Sequence, residues 1–509
     1  TELIRSLRTV IDEKTAHEAV LQEQVDYLTK KLFGTSSEKT HSDIPGQLNL
    51  FNEAEAEQDP SLPEEDCIEE PSPRKKKATH AELFKGLTVH KQVIPLAKED
   101  KICPVCGTPM ERIGEEYVRR ELVFTPARCE IYEYYTESYG CPNCKDGKGD
   151  TEKAVIIKSK AAPALIGKGP ASLSTVAWTI YQKYANGMPL YRQEKDWKEY
   201  GAAISRTTLA NWIIYSAEHY FRPLYDYFHR QLLQREFLMA DETRVQVLKE
   251  PGRSAESQSF MWLFRTGEDG QPVILLYGYT PTRSGNNAAD FLDGFQGYLE
   301  TDGYQGYNKV SGIKRCSCWA HIRRYFVDAI PKGKQLDYNQ PAVQGVHYCD
   351  RLARLESTIT SKCGTDYEKR KQMSLEKEKP VLEAFWAWVD SQNPTRNTRL
   401  DKALTYVKNR RETSMTYLED GRCSFTNNLS ENTIQPFTVG RKNWLFSDSV
   451  EGAQASAITY TMVEMAKAHN LNIYGYLSYV LEQRPDETWS DEQLAELAPW
   501  SEKLQTLKI

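Results

Sequence analysis

The sequence has no long apolar run and does not open on a signal-peptide pattern. No stretch approaches the roughly 20 apolar residues that a membrane-spanning helix needs. These absences argue against a membrane or secreted protein and predict a protein of the cytosol. The 11 cysteines are an odd number, and without a secretory signal they indicate reduced thiols and metal sites more than a disulfide framework.

Basic residues are missing from one stretch, and this absence explains the net charge. Residues 40–72 contain ten Asp or Glu and no Lys or Arg. Without them the formal charge of -6 becomes +4, a balance that neither establishes nor excludes DNA binding. So acidic a stretch cannot bury enough apolar surface to offset its ordering entropy. We predict a flexible linker over residues 40–79, which closes with the basic run 74–77.

Glycine and proline are absent from residues 1–33, where apolar residues follow heptad spacing. The segment 1–39 is therefore predicted to be an amphipathic helix. Lys14 and Glu18 interrupt the apolar seam. A short coiled coil that pairs two protomers and a helix packed on its own protein both remain open.

Four cysteines in CPVC and CPNC knuckles mark the segment 80–159: Cys103, Cys106, Cys141 and Cys144. Two such pairs suit tetrahedral Zn²⁺ with thiolate ligands. The 34 residues between the pairs are strand-like, and Cys129 among them is an alternative ligand. A redox CxxC is less favoured because there are two copies and neither lies at a predicted strand-to-helix turn. The pattern predicts a zinc ribbon with one structural Zn²⁺.

Residues 160–233 have a helical pattern. Between Pro189 and Ala217 it predicts a helix, a turn at Gly201 and a second helix that begins at Ser205. A DNA-binding region and an ordinary helical hairpin are both compatible with this pattern. In a DNA-binding region, Arg192 and Arg206 are candidate DNA contacts.

After residue 233 the pattern changes to strands. Three strands, a helix, a strand, another strand and a helix are predicted at 237–247, 260–265, 273–277, 287–295, 298–302, 314–318 and 320–330. This is the element order of a ribonuclease-H-like α/β core. We expect its first part at 234–333, an α-helical insertion at 334–425, its completion at 426–470 and a helical tail at 471–509.

Three acidic residues fall where such a core needs them. Asp241 sits late in the first predicted strand, and Asp302 ends the fourth. Glu431 follows Asn427, Asn428 and Ser430, which are good N-cap residues, so it should project from the first turn of a helix. Hard cations prefer oxygen ligands. The trio therefore suits two Mg²⁺ or Mn²⁺ ions about 4 Å apart, a pair that activates the attacking oxygen and stabilises the leaving oxygen of a phosphodiester.

The surrounding blocks resemble the DDE transposases of the insertion-sequence-66 family over almost the full chain. The matching blocks are LFGTSSEK, CPVCG, KYANGMPLYRQ, ADETRVQVL around Asp241, TDGYQGY around Asp302, CWAHIRRYF, and NNLSEN with GRKNWLF around Glu431. The resemblance implies an enzyme of the bacterial nucleoid that binds the inverted ends of its element, frees 3′-hydroxyls and joins them to target DNA. It implies double-stranded DNA as the partner and a homodimer or higher oligomer bound to that DNA. Whether accessory proteins of the same element take part remains open.

Two positions depart from the family pattern. The family usually has Arg directly after the catalytic Glu and again three residues later, where this chain has Asn432 and Gln435. A transposase-derived DNA-binding protein without catalysis, such as a repressor, and a metal-dependent nuclease that only cuts are therefore the alternatives. Arg441 and Lys442 match the pattern and are expected to hold DNA phosphates.

The block after the fifth predicted strand contains His321, Arg323 and Arg324, and the resemblance implies a role for them at the site, in contact with DNA. Two interpretations of His321 are open. It is either a core residue of its helix, together with Trp319 and Phe326, or a hydrogen-bond partner of phosphate or of an acidic ligand. Cys316 and Cys318 are expected to be structural thiols.

Overall fold

A computed structural model describes residues 129–133, 135, 138–140, 156–158, 163–167, 170–331 and 337–507. The predicted N-terminal helix, the acidic linker and the four knuckle cysteines lie outside these residues. The described elements belong to one compact unit. A two-stranded antiparallel ribbon, β1 (Ser138–Gly140) and β2 (Ile156–Lys158), precedes the helices.

The helical region before the sheet contains α1 (Leu173–Tyr184), α2 (Leu190–Glu199), α3 (Arg206–Ser216) and α4 (Arg222–Leu233). Ser205 caps α3 by accepting a hydrogen bond from the Thr208 N–H. The chain turns between α2 and α3 at Gly201, whose φ of 86° favours glycine. The predicted helix, turn and second helix are therefore present, with the turn and the cap at the expected residues.

The central sheet is mixed and has five strands along its main path: β3 (Phe237–Lys249), β4 (Gln258–Thr266), β5 (Leu275–Thr280), β6 (Gly297–Thr301) and β7 (Ile313–Ser317). Their order is β5-β4-β3-β6-β7. β3, β4 and β5 are antiparallel neighbours, whereas β6 and β7 run parallel to β3. A short strand, β8 (Ser447–Ser449), pairs with the far end of β3 at Val247 and Lys249.

Helices fill the connections of this sheet and follow it. α5 (Gly285–Phe291) joins β5 to β6, and α6 (Trp319–Asp328) follows β7. The segment predicted as an insertion is helical: α7 (Pro341–Cys363), α8 (Tyr367–Lys377), α9 (Lys379–Ser391) and α10 (Arg399–Lys408). The chain continues with α11 (Asn428–Trp444), α12 (Val450–Ala468), α13 (Ile473–Gln483), α14 (Asp491–Glu496) and α15 (Glu502–Leu507).

β3 separates two hydrophobic cores. Successive side chains of a strand point to opposite faces. Leu238 and Ala240 belong to a core that includes α1 to α4 and α12, whereas Phe237 and Met239 belong to a second core with α6 and the insertion helices. The first half of β3 is therefore apolar on both faces, as expected for a central strand. None of the helices in the described part of the chain combines the length and apolar character of a membrane-spanning segment.

Candidate active site

Asp241 and Asp302 lie on neighbouring parallel strands. The register of β3 and β6 pairs Phe237 with Tyr298 and Met239 with Glu300. Two residues further along both strands, the same register brings Asp241 level with Asp302, which directly follows β6. Asp241 is nevertheless in the first half of β3, so its expected place late in that strand is wrong. β3 is longer than its pairing with β6 because it continues as a hairpin with β4 and then pairs with β8.

Glu431 reaches this edge of the sheet from the first turn of α11, as the sequence predicts. The N-cap residue is Asn427, but its side chain makes no capping hydrogen bond. Its Nδ2 instead donates to the carbonyl of Ala240 at 3.0 Å. Ala240 directly precedes Asp241, so this bond fixes the beginning of α11 beside the first carboxylate.

The three carboxylates are close enough to repel one another. Burial, and then the carboxylates of Glu242, Asp302 and Glu431, raise the pKa of Asp241 well above its usual value. Backbone N–H groups hold two of the acids, since Glu242 N donates to Asp241 Oδ1 and Tyr304 N donates to Asp302 Oδ1, both at 2.8 Å. Such a set of oxygen donors gains stability from a bound cation.

A fourth carboxylate, Glu242, completes the acidic cluster. Its side chain is only 1% exposed. Arg283 Nε donates to it at 2.7 Å, and the Tyr307 hydroxyl also donates to it. Arg283 Nη2 lies 3.7 Å from Asp302 Oδ2 and thereby spans two acids. Sequence reasoning missed Glu242 and Arg283. The signal for Glu242 was an Asp-Glu pair directly after four apolar residues at the beginning of β3.

His321 lies beside Glu431. Its Nδ1 is 3.9 Å from Glu431 Oε1, and both side chains are 22% exposed. Its helix neighbours Trp319 and Phe326 are fully buried. His321 therefore does not share their place in the core, and its position favours the interpretation as a partner of an acidic ligand.

Cys318 lies in the same corner and is buried, as a structural thiol would be. Its Sγ accepts a hydrogen bond from Asn427 N at 3.2 Å. Burial, and next the Glu431 carboxylate, raise the pKa of this thiol to about 12. One ligand atom each of Cys318, His321 and Glu431 lies within 4.8 Å of the others. Sequence reasoning placed His321 at the site but gave Cys318 only a structural role.

The basic residues predicted to contact DNA differ in their surroundings. Arg323 is buried, and its Nε donates to Asp350 Oδ1 at 2.6 Å, which favours a structural role between α6 and α7. Arg441 Nη1 donates to Thr243 Oγ1 at 3.2 Å and ties the end of α11 to β3. Arg324 is half-buried, whereas three others are exposed: Arg192, Arg206 and Lys442. DNA contacts by these residues stay predictions.

Family comparisons cover most of the chain. Residues 168–455 match the model described as the transposase IS66 family, and residues 461–500 match the IS66 C-terminal element. Residues 100–145, which include the four knuckle cysteines, match the zinc-finger binding domain of transposase IS66. Residues 20–90 match a model described as transposase C of IS166 homeodomain.

Relatives of similar length occur in Sinorhizobium fredii. Uncharacterized protein y4qI is 26% identical over 96% of this chain and 90% of its own length. Uncharacterized protein y4jD is 26% identical over 80% of this chain and 79% of its own length. Because the transposase model alone matches more than half of the residues, the chain belongs to the IS66 family of transposases, which is of the DDE type.

Proposed function

We propose that the chain is a transposase that cuts and joins DNA strands with Asp241, Asp302 and Glu431. The observation that carries the proposal is the convergence of these carboxylates from β3, the end of β6 and α11. Burial, and then the carboxylates of Glu242, Asp302 and Glu431, raise the pKa of Asp241. An arrangement that costs stability in the free protein is expected where a cation-dependent reaction takes place.

The topology of the sheet supports a ribonuclease-H-like core. Three antiparallel strands are followed by two strands parallel to the first, in the order β5-β4-β3-β6-β7. The first and fourth strands of this series are neighbours, which brings the first two acids together. The third acid comes after the helical insertion, on α11.

The acidic cluster fits divalent cations. Asp241, Asp302 and Glu431 would hold Mg²⁺ or Mn²⁺, two ions per site, because all three offer hard oxygen ligands. When bound, such ions activate the attacking oxygen and stabilise the leaving oxygen. In the zinc-finger segment, Cys103, Cys106, Cys141 and Cys144 would hold one structural Zn²⁺.

The residues of the chain orient the reactants. The backbone bonds to Asp241 and Asp302 fix two carboxylates on the sheet, and the anchoring of α11 through Asn427 fixes the third. Water hydrolyses the bond at the element end and leaves a 3′-hydroxyl. That hydroxyl then attacks a target phosphate, so one P–O bond forms as another breaks. Double-stranded DNA of the bacterial cytosol is the substrate in both steps.

One observation favours a second candidate, a DNA-binding protein without catalysis. Asn432 and Gln435 stand where the family usually has arginine, and both are exposed on α11, next to Glu431 and one turn beyond it. Loss of two positive charges on this face would weaken the hold on DNA near the scissile bond. The three carboxylates themselves are retained, so we favour the transposase.

The test replaces each carboxylate by its amide. Asp241→Asn, Asp302→Asn and Glu431→Gln should each lower Mg²⁺-dependent cleavage and joining of DNA with the element's ends by at least about 100-fold. Gel-shift affinity for the same DNA should stay nearly unchanged, because affinity comes mostly from Lys and Arg on phosphates.

Glu451→Gln is the matched control, because Glu451 is an exposed acid in the first turn of α12. It should cleave like the wild type. Cleavage that survives in Glu431→Gln would favour a different third ligand. A wild-type protein that binds the ends and never cuts them with Mg²⁺ or Mn²⁺ would favour the second candidate.

A further inference from the structure

The corner formed by Cys318, His321 and Glu431 contains three different ligand types. Cys318 is the N-cap residue of α6, and His321 follows in its first turn. Glu431 belongs to the first turn of α11. A thiol, an imidazole and a carboxylate therefore meet at the beginnings of two helices, with one ligand atom of each within 4.8 Å of the others.

This donor set differs from that of the proposed magnesium site. Thiol and imidazole ligands select Zn²⁺ and related ions, whereas Mg²⁺ prefers oxygen donors alone. Asp241 and Asp302 are not members of the trio. The two sites thus share one residue, Glu431, and differ in the class of metal that they would bind.

The Nδ1 atom of His321 is placed as a metal ligand would be. Its Nδ1 is buried and has no hydrogen-bond partner among the described residues, and the 3.9 Å to Glu431 Oε1 is too long for a hydrogen bond. Buried polar side-chain atoms without any partner are uncommon in proteins. A metal ion between the two side chains would give His321 Nδ1 a partner.

Cys318 is also prepared for metal binding. The N–H of Asn427 donates to its Sγ at 3.2 Å, and hydrogen bonds from outer groups orient ligands and stabilise a metal-bound thiolate. The thiol itself is 2% exposed, so an ion would enter past the half-exposed His321 and Glu431. Tetrahedral Zn²⁺ needs ligand atoms roughly 3.5 Å apart. The ligand atoms lie within 4.8 Å of one another, so they would approach by at most about 1.3 Å.

We propose that Cys318, His321 and Glu431 form a zinc-binding site that inhibits the enzyme by withdrawing Glu431 from Asp241 and Asp302. A water molecule would supply the fourth ligand. The inhibitory part rests on the proposed function, because it assumes that Glu431 serves in strand cleavage. The metal-binding part depends only on the donor set.

Metal binding is tested with Co²⁺ as the probe, on the full chain with its zinc-finger segment already loaded with Zn²⁺. We expect one further equivalent of Co²⁺ to bind with the near-ultraviolet absorption of a thiolate–cobalt bond, and one equivalent of Zn²⁺ to displace it. Cys318→Ser should lose this absorption, and His321→Gln should weaken binding at least 10-fold. Cys349→Ala, at another fully buried thiol, should bind Co²⁺ like the wild type.

Inhibition is tested separately, with each variant compared with its own cleavage rate in Mg²⁺ alone. Micromolar Zn²⁺ should inhibit the wild type, and Cys318→Ser should raise the half-inhibitory concentration at least 10-fold. If Co²⁺ binds as expected while the wild type never cleaves DNA, the proposed function fails and the metal site stands. If the wild type cleaves but binds no further Co²⁺, or if Cys318→Ser keeps the absorption, the zinc site is wrong.

Discussion

Single charged residues offset part of the repulsion within the acidic cluster. Glu242 is buried beside Asp241, and Arg283 donates to it while lying 3.7 Å from Asp302. The Arg283 guanidinium also stacks over Tyr304, 4.1 Å from the ring centroid. The charge of Arg283 therefore partly balances the carboxylates of Glu242 and Asp302. A bound divalent ion would neutralise part of the same negative charge.

Replacing Arg283 should make stability more dependent on metal. In EDTA, Arg283→Gln should lower the Tm by about 2–4 °C, because Glu242 and Asp302 lose their counter-charge. Addition of Mg²⁺ should then raise the Tm of the variant more than that of the wild type. Arg411→Gln is the control, since Arg411 is in an exposed pair with Asp390. Equal Mg²⁺ shifts in wild type and Arg283→Gln would contradict this account.

At this scale the sequence indicates some site residues and not others. The places of Asp302 next to a strand end and of Glu431 in the first turn of a helix were predictable, because strand ends and N-caps have local signals. Their role in catalysis stays a proposal. Arg283 was not, since it comes from the segment between β5 and α5 and meets Glu242 only in the folded chain. The partnership of Cys318 with Glu431 likewise joins residues more than a hundred positions apart, which no local pattern encodes.

At the scale of elements, a close approach of two backbones shapes the edge next to Asp302. Gly285, the first residue of α5, packs against Gly306 in the 3-10 turn Gln305–Lys309. A Cβ on Gly285 would lie 2.2 Å from the carbonyl oxygen of Gly306. The turn directly follows the loop that contains Asp302, so this contact helps to position the second carboxylate.

An alanine at this contact should destabilise the protein. Gly285→Ala should lower the free energy of unfolding by roughly 1–3 kcal/mol, because backbone and not a flexible side chain must move. The measurement is urea unfolding followed by circular dichroism. In Gly452→Ala the new Cβ would meet only Ser449 Oγ at 3.6 Å, so this variant should be unchanged or more stable by up to about 1 kcal/mol. Equal stability of the two variants would argue against a tight contact.

Strands and helices were largely predictable from the sequence, but their pairing was not. The alternation from β3 to α6 identified each element within a few residues. The length of β3 was underestimated, because its last residues are stabilised by β8, a strand some 200 positions later. The beginning of α11 was predicted from a capping motif, whereas its Asn427 serves to hold a neighbouring strand.

At the scale of the whole molecule, buried carboxyl groups connect pH to stability. Glu378 is fully buried at the start of α9, in the core shared by the sheet and the insertion helices. Burial, and next the carboxylate of Glu356, raise the pKa of Glu378 from 4.5 to about 9. The folded chain therefore keeps a proton that the unfolded chain releases above pH 4.5.

Stability should consequently fall as the pH rises from about 5 to 9, since the folded state binds more protons in this window. Glu378→Gln removes this titration. We expect it to reduce the loss of unfolding free energy between pH 6 and pH 9 by roughly 1–3 kcal/mol. Urea unfolding at several pH values measures the slope. Glu376→Gln, at an exposed position of α8, should keep the wild-type slope, and the same slope in Glu378→Gln would contradict the prediction.

The position of Glu431 after the helical insertion has a consequence for protein synthesis. A ribosome completes the helical region, Asp241 and Asp302 well before it reaches α11, because chains are made from the amino terminus and domains fold as they emerge. On the proposed function, a nascent chain, or one cut short by a nonsense mutation before residue 431, has its helical region and no means of breaking DNA. The ability to cut DNA then arises only after most of the molecule has been translated.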